Sequence, residues 1–356
     1  GLFIPKKNIN PILITNHLNL KKVSKISKSF NIFKEEKFIK YLKLSKFKNI
    51  ETSYEFLNLN MYMRLSNFLN VSETKINISK YMGIKTSKEI KNIESCHIED
   101  GLAVLKFIIE LKQKKINPKN EYEVSEILYN KRKEGINFFR NSFDYISAFD
   151  SNAAIVHYKP HPEKSLSSKN RNLLLIDSGA QYLEGTTDIT RVIKIGAKNL
   201  SRIKFSYTYL LKSLIRIENK IFPRNIRTSE IDLFIRKYLS KFNISYNHGT
   251  GHGVGNFGDV HEKYPIISSR SNDILVKNAL FSIEPGYYVE GQFGLRIENL
   301  YVTKNINNSL KLKNITLVPY DLDLVNFKLI TNFERNYIKK YHTKIYKILK
   351  PRLSYE

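Results

Sequence analysis

Residues 247–262 read NHGTGHGVGNFGDVHE, which gathers His248, His252 and His261 into one short stretch interleaved with five glycines. Gly249, Gly251, Gly253 and Gly255 would each cost a helix about 1 kcal/mol relative to alanine, so a helical pair of metal-binding histidines is disfavoured. An extended segment fits better. There the side-chain period is two, so His248, Thr250 and His252 share one face, and the glycines on the other leave room for close backbone approach. Two imidazoles then point into one space, and the position of the carboxylates decides what they do there.

The carboxylates lie on either side of this stretch. LLLIDSGAQY reads as a buried strand ending in a turn, and TTDITRVIKIG as a second strand antiparallel to it. Asp177 ends the first strand, and Asp188 is expected within the second, where a hairpin sets the two side by side. Glu284 and Glu298 sit in the apolar strand contexts FSIEP and LRIENLYV, where an unpaired carboxylate is costly. Arg296, two residues from Glu298 on the same face, offers a purely structural partner.

Composition bounds the setting. The length of 356 residues suggests about two domains, and the single cysteine, Cys96, excludes an internal disulfide and fits a reducing cytoplasm. No apolar run approaches the roughly 18 residues of a membrane span, and the opening GLFIPKKNIN lacks a signal-peptide pattern. The net charge of +26 is spread over the whole chain as dispersed lysines, with no basic stripe and no nucleic-acid recognition motif. Neither nucleic acid nor a membrane is therefore an expected partner.

Residues 1 to about 85 are lysine-rich, with short apolar clusters such as PILI and FNIF and no chemical motif. At Thr86 the character changes. Thr86 with Glu89 forms a capping box, and Ile90, Ile93, His97, Val104, Ile108 and Leu111 recur at helical spacing. Asn120 caps a second helix carrying Val124, Ile127 and Leu128. Two later helices are predicted, one from about Leu200 to Phe222 that stops at Pro223, and one over SEIDLFIRKYLSKF with Ile231, Phe234, Ile235, Tyr238 and Phe242 on one face.

The strings DSGAQYLEGTTDITR, HGTGHGVG, VHE, EPGYY and GLRIEN, in this order, closely resemble the pita-bread metallopeptidases, and among them the Xaa-Pro aminopeptidases. The likeness extends to AAIVHY, KNIESCHIEDGLAV and ITLVPYDLDLV and covers roughly residues 88–345. It implies an α+β chain: a pita-bread (creatinase/aminopeptidase) catalytic fold over residues 86–320, preceded by a truncated, eroded creatinase-like remnant over residues 1–85 and followed by a C-terminal helical extension over residues 321–356.

The resemblance also implies a chemistry. Asp177, Asp188, His252, Glu284 and Glu298 would bind two divalent metal ions, with Asp188 and Glu298 bridging. Four converging carboxylates repel one another unless cations neutralise them, and an oxygen-rich set with one imidazole suits Mn2+, with Zn2+ or Co2+ as substitutes. The implied reaction is hydrolysis of the N-terminal Xaa-Pro bond through a dinuclear metal-bridged hydroxide. Glu284 would shuttle the proton, His248 and His261 would meet the developing charge, and His157 would lie at the cleft edge near the substrate's amino end. Tyr288 and Arg296 would line the proline side, so the partners are peptides with proline second, and a homodimer is compatible. A prolidase-like dipeptidase is the alternative within the fold. A non-catalytic pita-bread binding module is the alternative outside enzymology, and the intact ligand set argues against it. His97, His161 and His342 are read as structural.

Overall fold

The computed structural model describes residues 2–5, 9–16, 30–198 and 200–353. The chain forms two compact units, Gly1–Ile78 and Ser79–Glu356.

In the first unit the apolar clusters noted in the sequence become strands. β1 (Leu2–Phe3) pairs antiparallel with β2 (Ile12–Ile14), which pairs parallel with β3 (Asn31–Phe33). β4 (Asn49–Thr52) and β5 (Asn70–Glu73) form a second parallel pair. The helices α1 (Glu35–Leu44) and α2 (Leu59–Ser66) supply Phe38, Ile39, Leu42 and Leu65 to a core completed by Ile12 and Leu69.

A short helix, α3 (Ile78–Gly83), leads into the second unit, where α4 (Ser87–Lys112) starts at the predicted capping box. The Thr86 hydroxyl accepts from Glu89 N while the Glu89 carboxylate accepts from Thr86 N, which satisfies two of the orphan donors at the helix start. α5 (Glu121–Lys133) starts at Asn120, as its cap predicts. A three-stranded sheet follows, in the order β11 (Ile189–Lys194), β8 (Leu173–Ser178), β7 (Ile146–Phe149). A second runs β10 (Gly185–Thr186), β9 (Ala180–Tyr182), β6 (Phe138–Asn141).

Two sequence expectations need correction here. α6 spans Ser201–Glu218, shorter than the predicted helix, and residues Ile221–Pro223 form strand β12. Proline is tolerated there because β12 is an edge strand of its sheet. Asp188 lies one residue ahead of β11, not inside it, so its side chain escapes the strict alternation of the ladder.

After α7 (Thr228–Ser240) the chain builds a six-stranded sheet in the order β12, β19 (Ser309–Asn314), β18 (Asn299–Ile306), β15 (Leu280–Ile283), β13 (Gly251–Gly253), β14 (Glu262–Ile267). β16 (Gly286–Val289) and β17 (Phe293–Arg296) form a hairpin beside it, and α8 (Asn332–Leu349) closes the unit. β13 squeezes between β14 and β15 because it has almost no side chains. A Cβ on Gly251 would fall 1.9 Å from Ser282 O, and one on Gly253 2.2 Å from Tyr264 O.

A buried polar knot joins β18, β19 and α8 to the C-terminal end of α6. Glu218, 6% exposed, accepts from Tyr301 Oη (2.6 Å), Asn314 Nδ2 (3.1 Å) and Tyr337 Oη. Burial pushes its carboxyl up to about 7, against the opposing pull of the Tyr301 and Asn314 hydrogen bonds. A folded-state pKa above the unfolded value gives a contribution fully present below about pH 4.5 and lost as the pH rises towards 7. Glu218→Gln does not titrate. Wild-type stability relative to this variant is therefore expected to fall by on the order of 3 kcal/mol across that window, as measured by denaturant unfolding at a series of pH values. A pH-independent difference would contradict the assignment.

Candidate metal centre

The five predicted ligands come from strand ends that converge. Asp177 lies in β8, Asp188 just before β11, His252 in β13, Glu284 just after β15 and Glu298 just before β18. His252 Nε2 stands 3.5 Å from Asp188 Oδ2, 3.6 Å from Glu284 Oε1 and 3.8 Å from Glu298 Oε1. Ligand atoms of Asp177, Asp188 and Glu298 also lie within 4.8 Å of one another.

The protonation pattern shows what these groups are suited to hold. His252 Nδ1 donates to Gly253 O (3.0 Å), which leaves the Nε2 lone pair facing the carboxylates. Burial, and then the charge of His261, hold this imidazole down to about 3, so it is neutral and no salt bridge joins it to the acids. Burial first, and mutual repulsion second, push Asp188 and Glu298 well above the usual carboxylate range. Glu284 is pushed up to about 8 by burial, against the opposing pull of Arg296.

One oxygen of two of the carboxylates is anchored while the other is left free. Asp177 Oδ2 accepts from Arg296 Nη2 (2.6 Å) and Glu298 Oε2 from Thr190 Oγ1 (2.8 Å). Asp177 Oδ1, Glu298 Oε1 and Asp188 Oδ1 are buried without a hydrogen-bond partner. Orphaned buried carboxylate oxygens are costly unless a cation takes them, so this donor set fits divalent metal ions. The arrangement orients Asp177, Glu298 and His252 from behind, as metal centres generally require.

Arg296 therefore pairs with Asp177, and the pairing with Glu298 that its spacing suggested does not form. Arg296 Nη1 also donates to Tyr288 Oη (2.8 Å), which donates in turn to His248 Nε2 (2.9 Å). Burial and then the Arg296 charge hold His248 down to about 4, opposed by its bond to Gly249 O, so it too is neutral. The His261 ring lies 4.0 Å from that of His252, and one of its nitrogens is within 4.8 Å of ligand atoms of Asp188 and His252. His157 is exposed, close enough that its charge would depress the pKa values of both His248 and His261. Thr250, expected on the histidines' face, instead donates to Asp232.

His97 is buried with Nδ1 on Ile93 O, His161 is exposed in a turn, and His342 Nε2 accepts from Tyr320 N. These three stand apart from the centre. Sequence reasoning missed Thr190, which orients Glu298. Its only signal was its place two residues after Asp188. It also missed Lys85, whose ammonium pairs with Glu262 at 2.7 Å while 2% exposed.

The profile of metallopeptidase family M24 matches residues 92–305, and that of the C-terminal region of peptidase_M24 matches residues 308–356. The chain belongs to metallopeptidase family M24. Within family M24, it is 36% identical over 292 residues to "Probable Xaa-Pro aminopeptidase P" of Sordaria macrospora, covering 78% of this chain and 47% of the relative. A relative of the same name from Arthroderma otae is 37% identical over 297 residues. The chain thus spans about half the length of the curated relatives it matches. In structure it is similar to the X-prolyl aminopeptidase of Caenorhabditis elegans, described as a cytosolic enzyme with a di-nuclear active site. The TM-score is 0.85 at 26% identity, covering 100% of this chain and 60% of that one. The prolidase of Pyrococcus furiosus shares the fold, with a TM-score of 0.68 at 24% identity over 86% of this chain and 87% of that one. The fold is the pita-bread fold of these enzymes.

Proposed function

We propose that this M24 chain is a metal-dependent aminopeptidase that hydrolyses the N-terminal Xaa-Pro bond of peptides, with Asp177, Asp188, His252, Glu284 and Glu298 holding two divalent ions, Mn2+ first among them. The observation that carries this reading is the set of three orphaned, buried carboxylate oxygens around a neutral imidazole lone pair. The curated relatives and the C. elegans neighbour support it by their names. When bound, the ions would supply Lewis-acid polarisation of the scissile carbonyl and a water acidic enough to act as nucleophile.

The side chains do the rest. Glu284, whose Oε1 lies 3.6 Å from His252 Nε2, serves as the group that accepts a proton and hands it on. Neutral His248 and His261 stand where negative charge would develop on the substrate carbonyl, and exposed His157 meets the peptide's amino end. Tyr288 and Arg296 line the side that receives proline. That residue needs a dedicated pocket because its tertiary amide offers no N–H to anchor a strand-like pose. The free, buried Cys96 is consistent with a cytoplasmic setting.

A peptide opening Arg-Pro-Pro should release arginine in the presence of Mn2+, and chelation should stop it. Because prolidases share the fold, Gly-Pro is the comparison substrate: faster cleavage of the dipeptide than of the longer peptide would favour the dipeptidase reading. His248→Ala and His261→Ala are each expected to lower turnover by about a hundredfold with metal content unchanged. Metal loss in His261→Ala would contradict this role and make that histidine, close to Asp188 and His252, a ligand.

A further inference from the structure

Gly249 and Gly251 leave the backbone around His248 with few side chains to hold it. A Cβ built on Gly249 would make only ordinary contacts, the nearest with Ile267 O at 3.6 Å, so at this point the chain has room for a side chain but carries none. Yet the ring is fixed through backbone, since His248 Nδ1 donates to Gly249 O at 2.7 Å. Tyr288 Oη also donates to Nε2 at 2.9 Å, so the imidazole is set by that tyrosine and by whatever sets the Gly249 peptide.

One turn of α7 sets that peptide. Arg236 Nη1 donates to Tyr246 O and Nη2 to His248 O, both at 2.6 Å, so a single guanidinium clamps the carbonyls on either side of Asn247. Asp232, 1% exposed, accepts Arg236 Nε at 2.8 and 2.9 Å and Thr250 Oγ1 at 2.5 Å. Tyr246 Oη closes the ring by donating to Thr250 Oγ1 at 2.6 Å. The Tyr246 ring contacts both the Arg236 guanidinium, 4.1 Å from its centroid, and the His248 ring, 4.9 Å away. Thr250 O in turn accepts from Glu284 N at 2.8 Å, so the same strand carries both the histidine and the backbone bond of the proton-exchanging glutamate.

We propose that Asp232 and Arg236 are positioning residues for His248, a rigid clamp on the segment that leads into a strand whose Gly251 and Gly253 are needed for close approach to β15 and β14. This rests on the aminopeptidase reading, in which His248 acts on the substrate. Neither residue touches metal ligands through its side chain, so their effect should fall on turnover and leave metal content alone.

The test compares Arg236→Met and Arg236→Lys with wild type, each Mn2+-loaded, by kcat, KM, bound metal and melting temperature on the Arg-Pro-Pro peptide, and repeats Arg236→Met in a His248→Ala background. The Arg236 side chain is 30% exposed, so its replacement should leave a folded chain. Asp232→Asn is the second variant, which keeps the side chain's shape. The expected result is a kcat lower by about tenfold or more in Arg236→Met with metal content at the wild-type level, the size expected for a catalytic group displaced by a fraction of an ångström. Arg236→Lys should not rescue, because an ammonium keeps the ion pair but cannot fork to two carbonyls. In the His248→Ala background the effect of Arg236→Met should vanish, as it must if one residue acts through the other. Wild-type kcat in Arg236→Met, full rescue by lysine, or the same fold-loss without His248 would each overturn the proposal. A wild-type chain that cleaves no Xaa-Pro peptide would overturn the aminopeptidase reading first, and this inference with it.

Discussion

Glu298→Ala is expected to lose most of its bound metal and to lower turnover on Xaa-Pro peptides by about a thousandfold or more, the loss of several kcal/mol of transition-state stabilisation. Glu298 is 1% exposed, its Oε2 is held by Thr190 and its Oε1 faces His252 and the other acids without a partner. Alanine removes the ligand and leaves Asp177, Asp188 and Glu284 too few to hold a second cation. The fold should survive, because removing a buried carboxylate crowded by Glu284 and Asp177 relieves repulsion. Elemental analysis and steady-state kinetics on the purified variant check both halves, with circular dichroism to confirm the helices. Near wild-type turnover with manganese supplied would mean that Glu298 is no ligand.

Lys85→Met is expected to destabilise the second unit by about 3–5 kcal/mol, because it leaves Glu262 as an uncompensated buried charge beside His261. Lys85 Nζ donates to both Glu262 Oε2 (2.7 Å) and Met82 O (2.6 Å), so the methionine also strands a carbonyl. Burial already pushes the Glu262 carboxyl up, and without Lys85 it rises further. A raised folded-state pKa gives stability that is lost as the pH rises, so the deficit should be smallest in mild acid, where Glu262 is protonated in both states, and should grow towards neutral pH. Denaturant unfolding of wild type and variant at several pH values measures this. An equal deficit at every pH would show that packing, and not charge, is what Lys85 provides.

Lys85 also lies just ahead of the boundary that the sequence suggests. The capping box at Thr86 is genuine, and it invites a division before residue 86. The structural units divide at Ile78 and Ser79 instead. Between them lie Gly83, whose absent Cβ would sit 2.3 Å from Tyr264 O, and Lys85 itself. A chain shortened to begin at Thr86 should therefore suffer the Lys85→Met deficit, whereas one beginning at Ser79 should not. Local signals locate a helix start well because a cap is satisfied within four residues. They say nothing about an ion pair whose partner lies 177 residues away.

The same contrast runs through the site. The convergence of Asp177, Asp188, His252, Glu284 and Glu298 was legible because each is a costly residue in an apolar or glycine-rich strand, and the ordered motifs resemble those of a known family. The over-long helix before Pro223 was a local error: Ile221 and Phe222 continue an apolar pattern that period alone cannot tell from a strand. The second layer was not legible at all. Thr190, Arg236 and Asp232 are ordinary residue types on amphipathic elements, and their roles appear only once tertiary geometry brings a hydroxyl to a carboxylate or a guanidinium to two carbonyls.

The most direct test of the metal centre is the stoichiometry of tightly bound divalent metal in the wild-type chain, saturated with Mn2+, freed of excess and measured by elemental analysis. Two ions per chain, falling in Glu298→Ala and unchanged in His248→Ala, is the result expected from five converging ligands with three orphaned oxygens. A wild-type chain that binds none, or that binds the same amount with and without Glu298, would contradict it.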